Sequence, residues 1–315
     1  MLISAVFSFR NEEEVLEELV RRVTAALGQT GLEHELVFVD DDSSDRSLEI
    51  LLRLREKDPR IKIVNMSRRF GTHPCKLAGL RYAKGDAVVY MDSDLQDPPE
   101  LIPELVKKWR AGADVVNTVR DRRLGESAVK MWLTRRAYNL INLISDIDLP
   151  ENMGDFKLLS RRVVDELLKL NDYDPYMRGL VRWVGFRQDA VFYTRQARAA
   201  GETHFSIFQS GPAKEFVRGI TSFSAAPLYA AIFLGLLVSL LSFALIAYVL
   251  AVKFSGLSVP GWAGPMVAIL FLGGIILFTN GILGMYVGRI YDQVKSRPLY
   301  IVRSLHGLEE AAGRR

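Results

Sequence analysis

The stretch VVYMDSDLQDPPE, residues 88–100, sets carboxylates at Asp92, Asp94 and Asp97 directly behind an apolar run. In an extended segment, residues two apart share a face, so Asp92 and Asp94 point the same way. Paired carboxylates repel and are pushed toward protonation unless a cation joins them. Oxygen ligands suit Mg²⁺ or Mn²⁺, and Mg²⁺ typically takes one or two carboxylates with substrate phosphates completing the set. Asp97, before Pro98 and Pro99, reads as the start of a helix. A second acidic group, Asp40-Asp41-Asp42-Ser43-Ser44-Asp45, ends another apolar run. There a carboxylate can accept hydrogen bonds from ribose hydroxyls or a base edge. The alternative for this group is helix capping by Ser43 or Ser44, with Asp45 serving the helix dipole.

The elements that must position these groups alternate. Strands are expected at 2–9, 35–39, 61–65, 87–91 and 113–118. Helices are expected up to Leu27, with Asn11 as N-cap, and at 44–57, 73–83 and 98–111. Such alternation argues for an α/β fold, a Rossmann-like, mostly parallel sheet wrapped by helices, with ligands beyond the carboxyl ends of the strands. From Arg120 to Phe205 the pattern reads as helical and basic, and 213–224 as an amphipathic, interfacial helix.

Charge is unevenly placed in these 315 residues, 25% of which are charged. No charged residue lies between Arg218 and Lys253 or between Lys253 and Arg289. A bilayer core takes roughly 20 apolar residues in a helix, and a charge at its centre costs about 3 kcal/mol. The expected organisation is a catalytic domain at 1–210, a juxtamembrane helix at 211–226, transmembrane helices at 227–252 and 262–288, and a tail at 289–315. Lys214, Arg218, Arg289, Lys295, Arg297 and Arg303 flank the spans, whereas their loop holds only Lys253. The positive-inside rule then puts the domain and both termini in the cytoplasm. The N-terminus lacks the basic n-region of a signal peptide, and the single Cys75 agrees with a reducing compartment. A net charge of +4 asks for no nucleic-acid partner.

The segments FRNEEE (9–14), FVDDDSSD (38–45), SRRFG (67–71), MDSDLQDPPE (91–100) and GDFKLLSRR (154–162) resemble the family 2 glycosyltransferases of GT-A fold. RGLVRWVGFRQ (178–188), SFSAAPL (222–228) and RIYDQVKSRPLYIV (289–302) narrow the resemblance. With the two spans, they look like the polyisoprenyl-phosphate glycosyltransferases of the dolichol-phosphate mannose synthase and bacterial GtrB and ArnC type. The resemblance implies metal binding by Asp92, Asp94 and Gln96, and nucleotide contacts from Asn11, Glu13, Asp40, Asp41 and Asp92. It also implies lipid-phosphate contacts from Arg120, Ser127 and Arg135, and a place for Asp155 near the transferred sugar, as orienting group or auxiliary base; Asp94 and Asp155 are the catalytic candidates. The chain departs from the pattern at Ser8, Arg10, Asp42, Arg69 and Met285; Asp42 stands where glycine is usual.

The implied reaction is inverting transfer of a sugar from a nucleotide diphosphate sugar, by default UDP-glucose, to polyprenyl phosphate such as undecaprenyl phosphate. It would run at the cytoplasmic face of a bacterial plasma membrane, with Mg²⁺ or Mn²⁺, in a homo-oligomer that the resemblance makes a tetramer. Two rival readings are a processive polysaccharide synthase and a non-catalytic nucleotide-binding scaffold. Against the first, position 179 is Gly where the synthase pattern has Gln, and two spans are too few for a pore. Against the second stand the retained Asp92, Asp94 and Gln96.

Overall fold

Strands β1 (Leu2–Phe9) and β2 (Glu33–Asp40) bury unbroken runs rather than alternate residues, as strands covered on both faces do. The computed structural model describes residues 1–123, 136, 153–170, 172–195, 221–255, 261 and 263–309. Helix α1 (Leu16–Gly28) turns Leu16, Leu19, Val23, Ala26 and Leu27 onto the sheet, a stripe with the 3.6-residue period of an amphipathic helix. The chain continues through α2 (Ser47–Lys57), β3 (Ile61–Met66), α3 (Thr72–Tyr82) and β4 (Ala87–Asp92). A 3₁₀ turn (Pro99–Leu101) then leads into α4 (Ile102–Arg110) and β5 (Val115–Arg123). Next come β6 (Met153–Ser160), α5 (Arg161–Leu167), α6 (Met177–Trp183) and β7 (Gln188–Arg195).

These strands, with a late strand β8 (Val302–His306), form one eight-stranded sheet in the order β7-β5-β6-β4-β1-β2-β3-β8. The centre, β4-β1-β2-β3, is parallel, whereas β6 runs antiparallel to both β4 and β5. The strand order reverses between β1 and β4, which opens a crevice at their carboxyl ends. Two strands fall where the sequence reads as helical, between Arg120 and Phe205. β6 hides because it is buried along nearly its whole length, Lys157 included, and shows no alternation. β7 is an edge strand of mixed polarity, with Val191 and Tyr193 inward and Phe192 outward. Residues read as a C-terminal tail supply β8, antiparallel to β3 at the opposite edge.

Helix α3 lies close on the sheet because of Gly79: a Cβ there would sit 2.3 Å from Val6 Cγ1 and 3.1 Å from Val39 Cγ2. Lys76, one turn earlier on the same face, is thereby held down against the strands.

A second compact unit is the pair α7 (Ala226–Phe254) and α8 (Ala263–Val294). Their segments Ala226–Val252 and Val267–Val294 are long and apolar enough to cross a bilayer, and none of either hydrophobic stretch is buried within the protein. Each is roughly 40 Å long at 1.5 Å per residue, against a hydrocarbon core of roughly 30 Å. Tyr286 donates to the Ser224 carbonyl at 2.8 Å, and Arg289 donates to Ser222 Oγ at 3.0 Å and to Thr221. Of the expected interfacial helix at 213–224, only 221–224 fall among the described residues.

Candidate active site

Asp92 closes β4 beside Ser8 of β1, at the crevice where the strand order reverses. The chain then bends, with Leu95 at φ 54°. Asp92, Asp94 and Gln96 stay half-buried while Ser93, Leu95 and Asp97 turn inward. The alternation of burial is compatible with the common face expected for Asp92 and Asp94, although the segment beyond Asp92 is not extended. Asp94 Oδ1 accepts the Gln96 backbone N–H at 3.2 Å.

The antiparallel register of β4 and β6 pairs Tyr90 with Lys157, and continued by two residues it sets Asp155 opposite Asp92. Like charges facing each other across strands destabilise a sheet, and here a buried lysine separates them. Lys76 Nζ lies 3.0 Å from Asp92 Oδ1 and 3.0 Å from Asp155 Oδ2. Arg178 Nε donates to Asp155 Oδ1 at 2.6 Å, which extends the chain Asp92–Lys76–Asp155–Arg178. Burial by itself raises the Asp155 carboxyl, but Arg178 and then Lys76 outweigh it and hold it well below the usual carboxylate range. Burial likewise opposes the Lys76 charge, and Asp155 and Asp92 more than restore it.

Lys157 is fully buried, and its Nζ has no hydrogen-bond partner. Its cross-strand neighbours are Tyr90 and Asn117, whose Oη and Oδ1 also lack one. Burial pushes the ammonium down to about 7; Asp155 opposes that shift, while Arg178 and Lys76 add to it.

The loops after β1 and β2 are stitched together. Asn11, at φ 55°, donates its N–H to Ser43 Oγ at 3.0 Å and accepts the Ser44 N–H at 2.8 Å. It is not the N-cap of α1, which begins only at Leu16 behind Val15. Glu13 Oε2 accepts the Arg46 N–H at 3.0 Å, and Asp45 accepts the N–H groups of Glu13 and Ser47. Neither Ser43 nor Ser44 caps α2, whose N-cap is Arg46; Asp45 does support its first turn. Asp40 Oδ1 accepts the Ser43 N–H at 2.9 Å, and burial raises its carboxyl. Asp41 receives the N–H groups of Phe70 and Gly71 at 2.6 and 2.9 Å, bracing the loop after β3. Asp42 takes the left-handed conformation, φ 58°, that favours the usual glycine. Its carboxylate meets Arg303 of β8 at 2.8 Å, and Arg303 also donates to the Ser67 carbonyl at 2.6 Å.

Asp97 does not cap a helix. It is buried, accepts a hydrogen bond from Tyr193 Oη and lies 3.3 Å from the Arg120 guanidinium. Arg120, itself buried, donates from Nε to Tyr193 Oη at 3.1 Å. Burial, reinforced by Asp97, pushes the Tyr193 hydroxyl up to about 12. Ser127 and Arg135 lie outside the described residues. Among those described, no three His, Cys, Asp or Glu side chains gather as a metal cage. Asp92 and Asp94 fit the alternative, in which two protein carboxylates share an ion with substrate phosphates.

The profile of glycosyl transferase family 2 matches residues 4–168, which span β1 to α5. This chain belongs to glycosyl transferase family 2. The uncharacterized glycosyltransferase YkcC of Bacillus subtilis (strain 168) is 44% identical over 307 residues, 97% of this chain and 94% of that one. The bactoprenol glucosyl transferase of Shigella phage SfII is 39% identical over 307 residues, 97% of this chain and 99% of that one. Among solved structures, the mannosyltransferase PcManGT from Pyrobaculum calidifontis, in complex with GDP-Man and Mn²⁺, aligns at 16% identity and a TM-score of 0.49. That alignment covers 94% of this chain and 86% of the other. Membership of the family makes the enzyme a glycosyltransferase, and its mixed sheet is the GT-A-like one described above. Lys76 and Tyr193 lie outside the segments that carry the resemblance, and Lys157 and Arg178 lie within them with no role assigned. The one available signal was Lys76 itself, a charge inside the otherwise apolar run CKLAGL.

Proposed function

We propose that this family 2 enzyme transfers a sugar from a nucleotide diphosphate sugar to polyprenyl phosphate, with inversion, at the cytoplasmic face of the membrane. UDP-glucose and undecaprenyl phosphate are the first pair to test, and a homotetramer is carried by the resemblance alone. The observation that carries the reading is the chain Asp92–Lys76–Asp155–Arg178 at the mouth of the β1/β4 crevice. Two bilayer-length helices and relatives named bactoprenol glucosyl transferases support a lipid acceptor.

Asp92 and Asp94, with Gln96, would hold Mg²⁺ or Mn²⁺, whose charge when bound neutralises the diphosphate of the leaving nucleotide. Asp40, with Asn11, Glu13 and Asp41 fixing the surrounding loops, would receive the nucleoside. Asp155, kept ionised by Arg178 and Lys76, is a weak base and a strong hydrogen-bond acceptor; its role is to orient sugar hydroxyls. A base is scarcely needed, because a phosphate monoester with its second pKa near 6 is already mostly dianionic at pH 7. Orientation of that phosphate falls to Arg120, Ser127 and Arg135. For Arg120 this means exchanging Asp97 for the phosphate.

The test incubates radiolabelled nucleotide sugars with polyprenyl phosphate and Mg²⁺ or Mn²⁺, then extracts with organic solvent. Label should enter the lipid fraction and fall at least 100-fold with EDTA or with Asp94→Asn, in line with the loss of a charge-stabilising group. Label in a long polymer would point to a processive synthase, and no label from any donor would sink the proposal.

A further inference from the structure

We propose that Lys76 is a built-in counter-cation that keeps the Asp92/Asp94 site weak for a bare divalent ion. The ion would then bind only together with the nucleotide diphosphate and leave with the nucleotide product. This rests on the metal reading above and adds a residue that the family's motifs do not include.

Three observations carry it. Lys76 is 1% exposed and pairs with two carboxylates at 3.0 Å each, so its charge is held within the site. Buried ammonium groups persist only when so compensated. Its helix lies close on the sheet, because Gly79 seats α3 directly on Val6 and Val39. Finally, Asp92 is at once a lysine partner and a member of the Asp-x-Asp pair, so any ion on Asp92 lies close to a fixed positive charge. The described ion pairs here join the carboxylates Asp92 and Asp155 to the cations Lys76 and Arg178, and Asp94 follows Asp92 two residues along the chain. Among these five described groups the balance is one negative charge, with Lys157 close behind it. A divalent ion alone overshoots that balance, whereas an ion that arrives with a diphosphate does not. In a half-buried site such an excess is poorly screened. A metal site with no resident cation would keep its ion through turnover and hold the nucleotide product by it; Lys76 makes the pair easier to release.

The experiment uses the full chain in detergent and counts free Mn²⁺ by its electron paramagnetic resonance signal, with Mn²⁺ alone and with UDP, and with GDP in a parallel series. Wild type should bind Mn²⁺ at least tenfold more weakly alone than with the nucleotide. Lys76→Met, a near volume-conserving change, should tighten Mn²⁺ alone at least tenfold and close most of that gap, while Lys76→Arg keeps the wild-type pattern. Tightening is not what structural damage produces, so its sign separates charge from folding. Should Lys76→Met fail to fold, as judged by circular dichroism, Lys76→Gln is read by the same criterion. Unchanged or weaker Mn²⁺ binding in the uncharged variant overturns the role of Lys76 alone. Mn²⁺ binding that ignores Asp92→Asn and Asp94→Asn, with and without nucleotide, overturns the metal reading beneath it.

Discussion

Asp92 and Asp155 share Lys76 beyond the paired part of β4 and β6, and the cations around them decide what each can do. The Asp-x-Asp spacing was legible because a carboxylate pair behind an apolar run has few structural uses. Lys76 was not, because one lysine in a helix ordinarily reads as solvated, and only the tertiary packing of α3 reveals its burial. Lys157 was hidden for a similar reason, and it yields a test of pH dependence. Its ammonium titrates near 10.5 when unfolded and at about 7 in the fold. Between these values the unfolded state holds a proton that the folded state lacks, so this group makes stability rise with pH across that window. Below about pH 7 both states are charged and the burial penalty is complete; above 10.5 it vanishes. Lys157→Met should therefore raise the melting temperature most near pH 6, by an amount equivalent to a few kcal/mol, with the advantage shrinking steadily toward pH 10. Differential scanning fluorimetry across pH reads this directly, and a gap that does not change with pH would rule out the charge as its cause.

Elements rather than residues explain the remaining differences from expectation. The parallel strands announced themselves by apolar runs between helices, and their boundaries moved by only a few residues. β6 and β7 did not, because one is buried almost throughout with a lysine inside it and the other is a half-exposed edge. Strand pairing also changes the meaning of Asp97. Local sequence makes it a helix start, but β5 and β7 bring Arg120 and Tyr193 against it. Magnitude separates the two roles. Loss of a cap costs about 1 kcal/mol, whereas removing one member of a buried ion pair costs about 3–5 kcal/mol because the partner is left uncompensated. Asp97→Ala should fall in the larger range by denaturant titration, and Asp97→Ala with Arg120→Met should recover part of the loss. A loss near 1 kcal/mol in the single variant would return Asp97 to the capping role.

At the scale of the whole molecule, the chain leaves the sheet after β7, forms the α7–α8 pair and comes back to pair β8 with β3. Strands on either side of the two bilayer-length helices therefore belong to one sheet. A sheet cannot be divided by a bilayer, so the chain must cross an even number of times between β7 and β8, and two crossings fit the two helices. This argument is independent of the basic residues that flank the spans; those residues motivate the proposed direction, with the sheet in the cytoplasm. The single native Cys75 is buried, which leaves introduced cysteines readable. In intact cells, a cysteine placed between positions 256 and 260 should react with a membrane-impermeant maleimide, and one at position 312 should react only after lysis. The reverse pattern would keep the hairpin and invert its orientation. Protection of both positions until lysis, or reaction of both in intact cells, would place the two positions on one face and mean that the helices do not span.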